Sequence, residues 1–106
     1  MSERYYHKLV RDNIPDIIEN SGKRAMTRQL SANEYKTELD RKLLEETNEY
    51  LAEGNTEELA DIVEVVYAIL DFRGIDPNSF EELRLKKRQK NGGFAKRCYL
   101  ESVISD

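Results

Sequence analysis

The sequence predicts an all-α protein: an antiparallel helical hairpin plus flanking helices, with a four-helix bundle completed by dimerisation. Three observations carry this expectation. In two long consecutive segments the apolar residues recur at the three- and four-residue spacing of a helix face. The segments are separated only by the residues around Gly54 and Asn55, so the second helix must return along the first. The chain has 106 residues, of which 39% are apolar, enough for one domain with a modest core. Chains of this size often complete such a core by association.

The elements follow in order. Residues 1–11 mix polar and aromatic side chains around the apolar pair Leu9 and Val10. Asp12 or Asn13 caps a short helix through Pro15, Ile17 and Ile18 that ends near Gly22. Lys23 to Leu30 alternates weakly and reads as an extended connector. Ser31 with Glu34 three positions later is a capping-box signal, and it starts a long helix to about Glu53. Tyr35, Leu39, Leu43 and Tyr50 mark the stripe of this helix, Leu44 and Leu51 widen it, and Gly54 ends it.

Asn55 or Thr56 caps the next helix, which runs to Arg73. Leu59, Ile62, Val63, Val65, Val66, Ile69, Leu70 and Phe72 cover most of its circumference, the pattern of a helix buried on several sides. Its polar stripe is Glu57, Asp61, Glu64, Ala68 and Asp71, and Gly74 closes it. Asp76-Pro77 opens a further helix, Asp as cap and Pro in the first turn. That helix carries Phe80, Leu83 and Leu85, turns basic, and breaks at Asn91-Gly92-Gly93. In the tail from Phe94 to Asp106, Cys98, Tyr99, Leu100, Val103 and Ile104 are expected to pack.

Bulk composition excludes several classes. A net charge of −4 argues against a nucleic-acid binder. The single Cys98 excludes an intramolecular disulfide and fits a reducing compartment. No apolar run approaches the roughly 20 residues of a membrane span, and the polar N-terminus lacks the apolar stretch of a signal peptide. The expectation is a cytoplasmic protein with no nucleic-acid or membrane partner.

Five acids carry the chemistry. Glu45, Glu46 and Glu49 form an EExxE pattern before the turn, and Glu58 and Asp61 an ExxD pattern after it. Positions three and four apart share a helix face, where like charges cost about 0.2–0.5 kcal/mol per pair unless a cation lies between them. On a wheel of about 100° per residue, Glu46 falls among Tyr35, Leu39 and Tyr50, with Glu49 at the edge of that arc. Glu58 falls among Val65, Ile69 and Phe72, with Asp61 at the border of the polar stripe. Each helix thus places one acid inside its apolar face and a second at the margin. Antiparallel helices can aim both sets at one point, and all-oxygen ligands are what a hard divalent cation such as Mg²⁺ takes.

Two plainer readings stand beside a metal site. One is a solvated acidic face, with Arg41 pairing Glu45 and Lys42 pairing Glu46. The other is a structural ion-pair network. Neither deals well with acids inside an apolar arc, because a buried carboxylate is rarely left unpaired. His7 is the lone histidine, which argues against zinc, and it reads as a surface or packing residue. Cys98 reads as a buried structural thiol, and the tyrosines as packing residues.

Cations concentrate late in the chain. Arg84, Lys86, Lys87, Arg88, Lys90, Lys96 and Arg97 have no acid among them. They suit a polyanion, although a helix C-terminus favours cations in any case. Gly92-Gly93 is open to phosphate-binding backbone, but a helix stop is the simpler reading. Lys8 and Arg11 either reach phosphate or pair with Asp12 and Glu3.

EExxE followed by ExxD across a helical hairpin resembles the all-α nucleoside triphosphate pyrophosphohydrolases, a superfamily that includes MazG proteins, dimeric dUTPases and phosphoribosyl-ATP pyrophosphohydrolase. A narrower likeness covers nearly the whole chain. Tyr6-His7-Lys8-Leu9-Val10-Arg11-Asp12 with Ile14-Pro15, and Lys86-Lys87-Arg88 with Gly92-Gly93-Phe94, look like a group of small MazG-like proteins labelled phosphoribosyl-ATP pyrophosphohydrolase-like or house-cleaning enzymes.

The resemblance implies Mg²⁺, or Mn²⁺ in its place, on Glu46, Glu49, Glu58 and Asp61, with Glu45 as the catalytic residue, either an acid standing behind the ligands or a group that helps orient an attacking water. It implies substrate phosphates on Lys8, Arg11, Lys87, Arg88 and Arg97, and a homodimer or higher homo-oligomer. The implied reaction is hydrolysis of a nucleoside triphosphate, or a related nucleotide, to the monophosphate and pyrophosphate. This chain departs from the family in the short stretch, Tyr50 to Glu57, between the two acidic halves. The alternative expectation is a catalytically silent helical interaction module whose acidic face binds a basic partner.

Overall fold

The computed structural model describes residues 2–105, so Met1 and Asp106 lie outside the described residues. Among those described are four α-helices and no strand: α1 (Ile14–Asn20), α2 (Ala32–Glu53), α3 (Thr56–Phe72) and α4 (Pro77–Asn91). They fall into two units, Met1–Gly74 and Ile75–Asp106.

In the first unit, Pro15 sits in the opening turn of α1, where its missing N–H costs nothing. Asn13 holds the cap position without a side-chain cap bond. The Ile14 N–H instead donates to the Arg11 carbonyl at 3.0 Å. Residues 23–30 have no regular secondary structure, as an extended connector requires.

The capping box of α2 forms in full. The Ser31 hydroxyl accepts from the Glu34 N–H at 3.2 Å, and the Glu34 carboxylate accepts from the Ser31 N–H at 3.1 Å. Arg28 pairs with the same carboxylate at 2.9 Å. Hydrogen bonding from Arg28 first, and from Ser31 next, draws the Glu34 pKa down to about 2.

Gly54 ends α2 with φ 71°, its N–H donating to the Tyr50 carbonyl at 2.8 Å. A side chain in this left-handed backbone costs roughly 1–2 kcal/mol. Asn55, in extended backbone, is the N-cap of α3. The return is therefore immediate and antiparallel. Tyr35, near the start of α2, meets Phe72, at the end of α3, edge to face at 5.5 Å.

Leu39, Val65 and Leu70 are the buried apolar residues of this hairpin. Tyr35, Leu43, Tyr50, Ile62, Val66 and Ile69 are half-buried around them. The expectation that α3 is covered on several sides is not met in the single chain. Leu59, Val63 and Tyr67 are exposed, as are Leu44 and Leu51 on α2. One helix covers one side of its neighbour, so the remaining apolar circumference of α3 is left in water.

In the second unit, the Asp76 carboxylate accepts from the Ser79 N–H at 3.1 Å and starts α4 with Pro77, as the sequence signals. Gly92, at φ 86°, stops it and donates to the Arg88 carbonyl at 2.7 Å. The tail departs from expectation. Cys98, Tyr99, Leu100, Val103 and Ile104 are all exposed, so Cys98 is not the buried thiol its type suggested. Residues 94–105 form no helix or strand that would gather their apolar side chains on one face. Among the described residues, no helix is long and apolar enough to cross a membrane.

Candidate metal centre

The hairpin turn sets the site. Antiparallel helices face each other at positions similarly distant from their connection, and the two acidic patterns flank Gly54-Asn55. Glu46 of α2 and Glu58 and Asp61 of α3 each offer a carboxylate oxygen, and these oxygens lie within 4.8 Å of one another. Glu49 is exposed and adds its charge to both Glu46 and Glu58, but its carboxylate is not part of that set. Three of the four expected ligands thus converge, and the fourth stands beside them.

Glu46 occupies the apolar side of α2 with Leu39, as the wheel places it, and is only 7% exposed. One oxygen, Oε1, lies 3.4 Å from the Lys42 ammonium. The other, Oε2, is buried without a hydrogen-bond partner. Burial, then the Glu49 charge, pushes the Glu46 carboxyl above its ordinary pKa, with Lys42 opposing. A buried acceptor left unsatisfied costs about 1–3 kcal/mol, more when charged.

Glu58 is half-buried among other acids. Desolvation is the largest cause, followed by hydrogen bonding to Glu53 and the Glu49 charge, and together they push its pKa up to about 7. Glu53 is a participant that sequence reasoning missed. Its position, four after Glu49 and directly before the turn glycine, is the signal that would have found it.

Asp61 and Glu45 are held by cations from the N-terminal segment. Arg11 Nη2 donates to Asp61 Oδ1 at 2.6 Å. Lys8 Nζ donates to Glu45 Oε1 at 3.2 Å, and Lys42 Nζ to Glu45 Oε2 at 3.3 Å. Burial pushes the Glu45 pKa up, but the two lysines outweigh it and the carboxyl ends below its ordinary value.

These pairs revise the plainer expectations. Arg41 pairs with Glu38 at 2.9 Å, not with Glu45. Lys8 and Arg11 reach the acidic helices instead of Glu3 and Asp12, and Glu3 accepts from the Tyr5 hydroxyl at 2.7 Å. His7 is exposed and stacks on Tyr5 with ring centroids 5.4 Å apart, a surface role as expected. Lys87 and Arg88 lie on α4 and Arg97 in the tail, all exposed and all in the second unit.

The donor set fits a hard divalent cation. It consists of carboxylate oxygens only, it includes a buried oxygen with nothing to bind, and the Asp61 charge adds to the causes that raise the Glu46 pKa. No protein family, curated protein or solved structure matches the chain.

Proposed function

We propose that the chain is a Mg²⁺-dependent nucleotide pyrophosphohydrolase of the MazG-like type. The reaction would convert a nucleoside triphosphate, or a related nucleotide, to the monophosphate and pyrophosphate, as part of nucleotide-pool house-cleaning. One observation carries the reading: the buried, unpartnered Glu46 Oε2 in a cluster with Glu58 and Asp61. A solvated acidic face would leave all three acids in water. An ion-pair network would give that oxygen a donor.

Glu46, Glu58 and Asp61 would hold the cation, with Glu49 beside them. A divalent cation there, Mg²⁺ or Mn²⁺, supplies neutralisation of phosphate charge and a more acidic water. Glu58, titrating at about 7, gives up its proton on loading, so binding is coupled to pH. Glu45 is kept ionised by Lys8 and Lys42, which makes it a weak base. Its role is to accept a hydrogen bond from the water that attacks the α-phosphorus and to orient it.

Carboxylates repel a polyanion, so cations must supply the attraction. We assign that to Lys8 and Arg11, the two cations that reach the acidic helices from the N-terminal segment. Leu59, Val63 and Tyr67, four residues apart along α3, form an apolar stripe that a second copy would cover to give a four-helix bundle. We place the protein in the cytoplasm, where a free exposed Cys98 stays reduced.

The test is a pyrophosphate-release screen with Mg²⁺ over canonical and damaged (d)NTPs and phosphoribosyl-ATP. Release is expected for at least one substrate and is lost in Glu46→Gln. Silence across the panel with a folded, metal-loaded protein would favour the interaction module.

A further inference from the structure

We propose that Arg11 is a resident counter-cation of the acidic centre, which holds Asp61 while no metal is bound and is driven off that carboxylate when a divalent cation binds. The proposal rests on the metal-centre reading above and adds a coupling between that centre and the N-terminal segment.

Two cations from one short segment reach the two acidic helices. Arg11 meets Asp61 of α3 at 2.6 Å, and Lys8 meets Glu45 of α2 at 3.2 Å. Between them Leu9 and Val10 are half-buried. The Arg11 carbonyl accepts the Ile14 N–H at 3.0 Å, so the start of α1 fixes the backbone from which the guanidinium extends. The segment is anchored by apolar contact and α1, and its charges are laid across the site.

The cations at the centre are of two kinds. Lys42 is 15% exposed and bridges Glu45 and Glu46, a built-in part of the cluster. Arg11 is 54% exposed and Asp61 36%, so their pair is worth little and exchanges easily. An arginine cannot escape a new positive charge by losing its own. A divalent ion on the same carboxylate repels the guanidinium more strongly than an exposed pair retains it, so the side chain must move. Once free, its planar fork matches a phosphate as well as a carboxylate. One side chain thereby offsets the Asp61 charge and then becomes available to the substrate. Metal affinity is correspondingly lower than the bare carboxylates would give, because binding has to displace a competitor.

The experiment is a Mg²⁺ titration of the full chain without nucleotide, read by calorimetry and by the ¹⁵N side-chain signal of Arg11 Nε. The Arg11 signal is expected to move from a paired to a free position with the calorimetric midpoint. Arg11→Gln should bind Mg²⁺ about two- to fivefold more tightly, the range an exposed pair supports. Arg4→Gln removes the same charge from the same segment, but Arg4 lies over the Tyr6 ring, so its affinity should match the wild type. An Arg11 signal unmoved at saturation, or Arg11→Gln binding no tighter than Arg4→Gln, would overturn the exchange. If the wild type binds Mg²⁺, Glu46→Gln does not, and Arg11 stays put, the centre stands and only the exchange fails. If the wild type binds no Mg²⁺ without nucleotide, the exchange fails, and if it binds none with nucleotide either, the centre falls as well.

Discussion

Arg11 and Asp61, 50 residues apart in sequence, meet at 2.6 Å, and through them the N-terminal segment is tied to the acidic turn of the hairpin. Lys8 and Glu45 repeat the tie across 37 residues. The acidic patterns are therefore part of a charge system in which Lys8, Arg11 and Lys42 offset some carboxylates and leave one oxygen of Glu46 unserved.

The first prediction concerns pH. Glu58 has a folded pKa of about 7, above the ordinary 4.5. Between those values the folded protein keeps a proton that the unfolded chain has lost. Stability of the cation-free protein should therefore fall as pH rises through that window, and Glu58→Gln should remove this component. Urea unfolding at pH 5 and pH 8 of both proteins measures it. An equal pH response in the two would contradict it. Glu34 has the opposite sign: its pKa of about 2 gives stability that is present above 4.5 and lost as pH falls toward 2.

Capping gives a second. Ser31→Ala removes the acceptor of the Glu34 N–H and should lower stability by about 1 kcal/mol. Leu39→Ala empties a buried core position and should lower it by about 2–5 kcal/mol. Denaturant midpoints rank the two. A larger loss from the cap than from the core would be the wrong order.

Such local features were the legible part of the fold. Ser31 with Glu34, Gly54 with Asn55, and Asp76 with Pro77 each encode a helix boundary within four residues, and the structure places the boundaries there. The end of α3 differs by one residue, Phe72 against Arg73, the usual fraying of a helix end. Glu46 was readable because burial follows from its place on the wheel. The pairings of Arg11 and Lys8 were not, because nothing within a few residues of either encodes a contact across the chain. The exposed side of α3 was misjudged because an apolar face records that it needs covering but not what covers it. Exposure of Leu100 and Ile104 was hidden for a similar reason: apolar composition without periodicity fixes no packed face.

Association gives the third. If a second copy covers the α3 stripe, Val63→Asp should turn a dimer into a monomer, since a charge there would be buried unpaired. Light scattering across a concentration series measures the mass. A wild type that is monomeric at every concentration would contradict the bundle.

Cation loading gives the fourth. A ligand that binds only the folded state raises the melting temperature. Millimolar Mg²⁺ should do so in the wild type and not in Asp61→Asn. The effect should weaken below pH 7, where Glu58 holds its proton.

The most direct test is calorimetric titration of Mg²⁺ and Mn²⁺ into the wild type and Glu46→Gln at neutral pH. Saturable binding with proton release is expected in the wild type and lost in the variant, because the variant replaces the buried carboxylate of Glu46, whose Oε2 has no partner. Equal binding by both proteins, or none by the wild type with or without a nucleotide present, would contradict chelation by Glu46, Glu58 and Asp61.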